Sequence, residues 1–157
     1  MWNETIGPLI ERPGRLGTWG YYNTDGVGLN EVFEWCQDLD MSMLLTIWAG
    51  HYLDGTSLTE AEIQPYIQDA LDELEYILGD QTTAGGKRRT SDGYPDPWVL
   101  EYVEIGNEGK FLNIQPHITT QADDTIKTTL ETDPAPTKPT VFATLPTQSK
   151  PHTRLLP

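Results

Sequence analysis

The side chains best placed to do chemistry stand at the end of one apolar run. Trp98 to Glu108 reads W-V-L-E-Y-V-E-I-G-N-E. Val99, Leu100, Tyr102, Val103 and Ile105 supply the β-branched, aromatic and aliphatic bulk of a buried strand. Gly106 breaks the run and lets the backbone turn. Asn107 and Glu108 then fall just beyond the strand's carboxyl end. A carboxylate there can exchange a proton or attack a substrate, and barrels of parallel strands place their chemistry at that end. A simpler reading is open too, because Gly, Asn and their neighbours are ordinary turn residues after a strand.

The elements that would hold this tip can be read backward and forward from it. Met43 to Trp48 (M-L-L-T-I-W) is an apolar run that reads as a second buried strand, followed by Ala49-Gly50-His51-Tyr52. His51 could act in a site, but a lone loop histidine is more usually a surface residue. Leu29 to Leu39 reads as a helix with Leu29, Val32, Phe33, Cys36 and Leu39 on one face. Cys36 is then a packed thiol and not a nucleophile.

Thr59 and Glu62 have the spacing of a capping box, with Leu58 and Ile63 as the staple pair. Pro65 predicts a break: a short turn at 59 to 63, then a main helix starting with Pro65 at its first position and with Gly79 as its stop. The carboxylates of that helix (Asp69, Asp72, Glu73, Glu75) read as a solvated face. Gln81 to Pro97 reads as a polar connection carrying a surface basic trio, Lys87-Arg88-Arg89. Residues 1 to 28 read as a long aromatic loop, in which Trp2, Trp19, Tyr21 and Tyr22 suit sugar stacking or loop packing equally.

Strands alternating with helices predict parallel pairing with right-handed crossovers, but two strands do not make a stable sheet covered on both faces. The predicted fold is therefore α/β, an excerpt of a larger architecture.

The chain has 157 residues and a net charge of −14. That acidity argues against nucleic acid and against anionic membranes as partners. One cysteine excludes an internal disulfide, and no apolar run is long enough to span a bilayer. Trp2-Asn3-Glu4-Thr5 is too polar for a signal peptide, and Asn3 opens the one N-glycosylation sequon. Composition changes sharply along the chain. All five Trp, all seven Tyr and thirteen of the fourteen Gly precede residue 109, whereas seven of the twelve Pro follow it. Residues 1–108 read as folded, and 109–157 as a Pro/Thr-rich disordered tail.

Four motifs together resemble fungal α-L-arabinofuranosidases of glycoside hydrolase family 51: W-N-E-T-I-G-P-L, R-P-G-R-L-G-T-W-G-Y-Y-N-T-D-G-V-G-L, W-A-G-H-Y-L-D-G and Y-V-E-I-G-N-E. The resemblance runs from Trp2 to Glu108 and does not extend into the tail. It implies a partial (β/α)8 TIM barrel, about strands 3–4 with their flanking helices. It also implies retaining hydrolysis of terminal α-L-arabinofuranosyl residues from arabinoxylan or arabinan, with no cofactor or metal and a secreted location.

By the same resemblance Glu108 is the acid/base, Asn107 contacts the sugar's 2-hydroxyl, and Trp19 lines the arabinose subsite. The family's nucleophile, a glutamate on a later strand, has no counterpart here. Asp123, Asp124, Glu131 and Asp133 carry no matching motif. The chain is accordingly expected to be inactive by itself. Gly109-Lys110-Phe111 can be encoded GGT-AAG-TTT, which contains a typical intron start, so the tail is expected to be translated intron. Two alternatives stand beside this reading: another retaining barrel glycosidase, such as a xylanase or endoglucanase, and a non-catalytic carbohydrate-binding or regulatory remnant.

Overall fold

The computed structural model describes residues 1–106, 124–130 and 138–143. Its centre is a parallel three-stranded sheet in which spatial order follows chain order: β3 (Leu44–Ile47), β4 (Tyr102–Ile105), β5 (Thr140–Ala143). Leu44 lies opposite Tyr102, and Ile47 opposite Ile105. Tyr102 lies opposite Thr140, and Ile105 opposite Ala143. The predicted pair of parallel strands is present, with a third strand beside it.

Alternation sorts the side chains of this sheet. Leu45, Ile47, Val103 and Ile105 are buried, whereas Leu44 and Tyr102 are exposed on the opposite face. The buried face packs against α2 (Glu60–Leu78), which contributes Ile63, Ile67, Ala70, Leu74 and Ile77. Helix α1 (Leu29–Asp38) adds Phe33, which stacks on Trp98 with centroids 5.2 Å apart. Residues Leu39 and Val32 of the predicted apolar stripe are exposed, so α1 meets the core along a narrower face than expected.

Before α1, two short 3-10 turns (Trp2–Glu4, Leu9–Glu11) lead into a hairpin of β1 (Arg15–Leu16) and β2 (Tyr22–Asn23). Arg12 ties this segment down. It pairs with Glu31 at 2.7 Å and donates to the carbonyls of Gly7 and Asp25.

Three expectations need correction. Pro65 does not split its helix: α2 is continuous from Glu60 to Leu78 with Pro65 inside it. A proline there removes only one hydrogen bond, and the capping box and the burial of Ile63 and Ile67 on either side hold the turn in register. Gln81 to Pro97 is not a plain connection, since α3 (Ala84–Ser91) forms within it, and Arg89 of the basic trio is wholly buried.

The third correction concerns the tail. Residues 124–130 form a helix, α4, with Ile126 and Leu130 in the core, and β5 pairs with β4. Disorder is therefore wrong for those two segments. Proline and threonine content misled because a few apolar residues suffice when a strand edge and a core surface are already waiting for them.

Candidate functional site at the carboxyl ends of the strands

The carboxyl ends of β3 and β4 lie side by side. The Gly106 N–H donates to the Ile47 carbonyl at 2.9 Å, and Gly106 has φ +78°, a left-handed conformation that favours glycine. Asn107 and Glu108 follow directly and lie outside the described residues.

The chain turns sharply at the neighbouring end of β3. Gly50, with φ +78°, turns the chain, and His51 forms an isolated bridge with Ser57. The His51 Nδ1 lies 2.7 Å from Ser57 Oγ, and its Nε2 is buried with no hydrogen-bond partner. His51 is thus half-buried and part of the loop's structure, contrary to its reading as a surface residue. Trp48 donates from Nε1 to the His51 carbonyl at 2.8 Å. Its ring meets Tyr52 and Tyr66 edge-on at 5.0 and 4.9 Å.

The open face below this rim carries the carboxylate of Glu104. Thr46 and Glu104 stand opposite each other in register, with Thr46 Oγ1 3.4 Å from Glu104 Oε2. Neither was singled out from sequence. The available signal was an acid interrupting the apolar run Tyr102 to Ile105, on the face opposite Val103 and Ile105.

Trp19 sits between β1 and β2 and is 75% exposed, with Tyr21 and Tyr22 also largely exposed. The Tyr22 hydroxyl donates to the Pro13 carbonyl at 2.8 Å. Asn3 lies in the first 3-10 turn with its Oδ1 buried and unpartnered. The sequon's Thr5 hydroxyl donates to the Trp2 carbonyl at 2.8 Å and accepts from the Leu29 N–H at 3.3 Å.

Two carboxylates of α2 also depart from expectation. Burial, and then the charge of Asp69, push the Glu73 carboxyl up to about 7, so it is not part of a freely solvated face. Glu75 Oε2 accepts from the Gly85 N–H at 2.7 Å and so ties α2 to α3.

A singly progressing parallel sheet with helices between its strands, and a glycine-turned strand tip beside the carboxyl end of β3, define an α/β protein of the kind that places chemistry at strand ends. The family described as "Alpha-L-arabinofuranosidase 1 domain" matches residues 1–155. The chain belongs to that family. The match runs through most of residues 109–157, which the motif resemblance had left outside.

Alpha-L-arabinofuranosidase A of Aspergillus niger is 56% identical over 110 residues, which cover 68% of this chain and 18% of that protein. The probable alpha-L-arabinofuranosidase A of Aspergillus terreus is 54% identical over the same length and shares. The chain therefore spans 18% of the length of these relatives. Among solved structures, an arabinose-bound MgGH51 α-L-arabinofuranosidase matches with a TM-score of 0.81 at 37% identity, over 91% of this chain and 22% of that one. A family 51 enzyme of Thermotoga petrophila shares the fold with a TM-score of 0.68 at 24% identity, over 90% of this chain and 27% of that one.

Proposed function

We propose that this chain is a part of the catalytic barrel of a retaining α-L-arabinofuranosidase, and that Glu108 is its acid/base. The supporting observation is the placement of the strand tip. Gly106 is hydrogen-bonded to Ile47 at the shared carboxyl end of two parallel strands, so the next two residues, Asn107 and Glu108, start from that rim. The order β3-β4-β5, with each strand added on the same side of the last, is the order a barrel requires.

In this reading Glu108 protonates the leaving oxygen and later takes a proton from water. Asn107 bonds the sugar's 2-hydroxyl, and Trp19 lines the subsite. A retaining reaction also needs a second carboxylate about 5–5.5 Å from the first. No motif for that nucleophile is present in residues 1–157. Losing one member of a pair that acts as a unit removes most of its catalysis, so the chain alone has no significant turnover. The substrate class is an arabinose-containing polysaccharide or oligosaccharide.

A secreted location and a glycan on Asn3 belong to the same reading. Because Thr5 and Asn3 are built into the folded first turn, such a glycan has to be added before the segment folds. No helix among the described residues is long and apolar enough to cross a membrane.

The test uses aryl α-L-arabinofuranoside. A whole-length protein containing these residues turns it over with retention, and Glu108→Gln lowers kcat by ~10²–10⁴-fold. The 157-residue chain does not turn it over. Turnover by the chain itself, lost in Glu108→Gln, would overturn the claim of inactivity. A preference for aryl xylosides or glucosides would transfer the site to another barrel glycosidase.

One observation favours a second reading. Trp19, Tyr21 and Tyr22 present exposed rings that could hold a sugar chain without cleaving it. Retention on arabinoxylan with no released arabinose, lost in Trp19→Ala, would support it.

A further inference from the structure

Trp19 stands at the tip of a short arm. β1 and β2 are the two sides of that arm. Its tip is closed by the Gly17 N–H, which donates to the Tyr21 carbonyl at 2.7 Å, and by the Gly20 N–H, which donates to the Gly17 carbonyl at 3.0 Å. Among the described residues the exposed Trp19 ring has no hydrogen bond and no aromatic partner. The place of the ring therefore follows from how the arm is held at its base.

One side chain holds that base. The chain enters the arm just after Arg12 and leaves it at Asp25, and Arg12 Nη1 donates to the Asp25 carbonyl at 3.0 Å. Arg12 Nε and Nη2 donate to the Gly7 carbonyl at 3.2 and 3.0 Å. Nη1 and Nη2 also grip the two carboxylate oxygens of Glu31, at 3.0 and 2.7 Å. All five N–H groups of the guanidinium are thereby used, in a side chain that is only 3% exposed. Glu31 is fixed in turn, because its Oε2 accepts from the Gly28 N–H at 2.8 Å at the start of α1. A second clamp lies just above, where Arg15 Nη1 meets Asp25 Oδ2 at 3.0 Å.

A bidentate guanidinium–carboxylate pair fixes direction as well as distance. The arm is thus set at one angle to α1, and α1 leads into β3, whose carboxyl end adjoins the strand tip at Gly106. An arm free to swing would have to be ordered each time a ligand bound to its tip, and that ordering costs affinity.

We propose that Arg12 and Glu31 are positioning residues for the sugar: their ion pair sets the angle of the Trp19 arm and so the affinity for an arabinofuranosyl unit, through Trp19 and not by contact with the sugar. This rests on the reading of Trp19 as a sugar-binding ring.

The experiment labels the chain with fluorotryptophan, which gives one fluorine resonance for each of its five Trp residues. Trp19→Ala assigns the Trp19 line. The titrant is xylotriose bearing one α-L-arabinofuranosyl branch, and it should shift the Trp19 line of the parent chain to saturation. Arg12→Met should move the unliganded Trp19 line toward that of free fluorotryptophan, leave the line of the core residue Trp98 in place, and weaken binding about fivefold or more. Glu31→Gln keeps an oxygen for the Gly28 N–H and loses the charge. It should act in the same direction, and it decides the matter if Arg12→Met disturbs Trp98. Arg12→Lys should recover only part of the affinity, since an ammonium lacks the fork that spans Gly7, Asp25 and Glu31. Equal affinity in the parent, Arg12→Met and Glu31→Gln overturns the inference and leaves the reading of Trp19 standing. Weaker binding with the Trp19 line unmoved makes the pair a general structural tie and also overturns it. A sugar that leaves the parent's Trp19 line in place, or that binds Trp19→Ala as tightly, removes the reading of Trp19 and this inference with it.

Discussion

The guanidinium of Arg89 donates to the carbonyl of Gly79, with Nη2 2.8 Å from the oxygen, and so closes the carboxyl end of α2 from inside the core. The same side chain donates to the carbonyls of Tyr76, Ile77 and Tyr94. One buried cation thus serves the Tyr76, Ile77 and Gly79 carbonyls at the end of α2, of which Ile77 also accepts from the Trp98 N–H, and it meets the helix dipole at its negative end. Gly79 is needed for closeness, not for a left-handed turn. Its φ is −64°, and a Cβ there would lie 2.4 Å from Thr83 Oγ1 and 2.5 Å from the Glu75 carbonyl oxygen.

Arg89→Met should therefore destabilise the fold by about 3 kcal/mol or more, because it strips partners from several buried carbonyls at once. Arg89→Lys should recover only part of the loss, since an ammonium cannot span all four acceptors. Urea unfolding followed by circular dichroism measures both. A loss below ~1 kcal/mol for Arg89→Met would remove Arg89 from this role.

The pKa of Glu73 sets a pH dependence of stability. Burial and Asp69 raise it to about 7 from an ordinary value of 4.5. The folded state therefore holds the proton more tightly than the unfolded state. The stability this provides is full below about 4.5 and is lost as pH rises through about 7. Glu73→Gln should leave stability unchanged at pH 4 and raise it by ~1–3 kcal/mol at pH 8. Thermal melts across that range check the sign, and destabilisation at pH 8 would contradict it.

Glu31 should give the opposite slope. Burial raises its pKa, but hydrogen bonds from Arg12 and from the Gly28 N–H lower it further than burial raises it. Its contribution is present above the ordinary carboxylate range and falls away as the solution is acidified. Removing either partner should flatten the acid limb of the stability curve and loosen residues 1–28. Limited proteolysis of Arg12→Met between Gly14 and Asp25 is the readout, and unchanged cleavage would count against the tether.

Two glycines of one segment should respond differently to alanine. A Cβ on Gly86 would meet the Asp80 carbonyl oxygen at 1.9 Å, so backbone has to move, and Gly86→Ala should cost several kcal/mol, on the order of 3. Gly93 has open space around it but φ +103°, so Gly93→Ala should cost only ~1 kcal/mol. Equal losses at the two sites would refute the steric argument.

Hydrogen exchange tests the order found in the tail. The Thr140 N–H donates to the Glu101 carbonyl at 2.8 Å, and Val141 lies opposite Val103. The amide of Thr140 should exchange far more slowly than an unstructured one, and Val141→Asp should release it. Exchange at the unstructured rate in the parent chain would restore the reading of a disordered tail.

Local patterns made much of this legible beforehand. The apolar runs marked β3 and β4, helical spacing marked α1, and Thr59 with Glu62 marked a capped turn that proves to be the first turn of α2, because each signal lies within a few neighbouring residues. The motifs around Trp19 and Gly106 marked the family. Pro65 was misread because a local breaker was weighed without the packing that overrides it.

The sequence by itself determined the alternation of strands and helices, the strand tip that leads to Asn107 and Glu108, and the family those residues resemble. Only the tertiary structure decided that Arg89 is an internal cap, that Glu73 is held near neutrality, and that Thr140–Ala143 becomes a third strand. Each of those depends on groups brought together from distant parts of the chain. A buried cation needs carbonyls ten and more residues away, and a weak strand needs an edge already formed by β4. No local pattern encodes such a partner, because the free energy that fixes it is shared between segments.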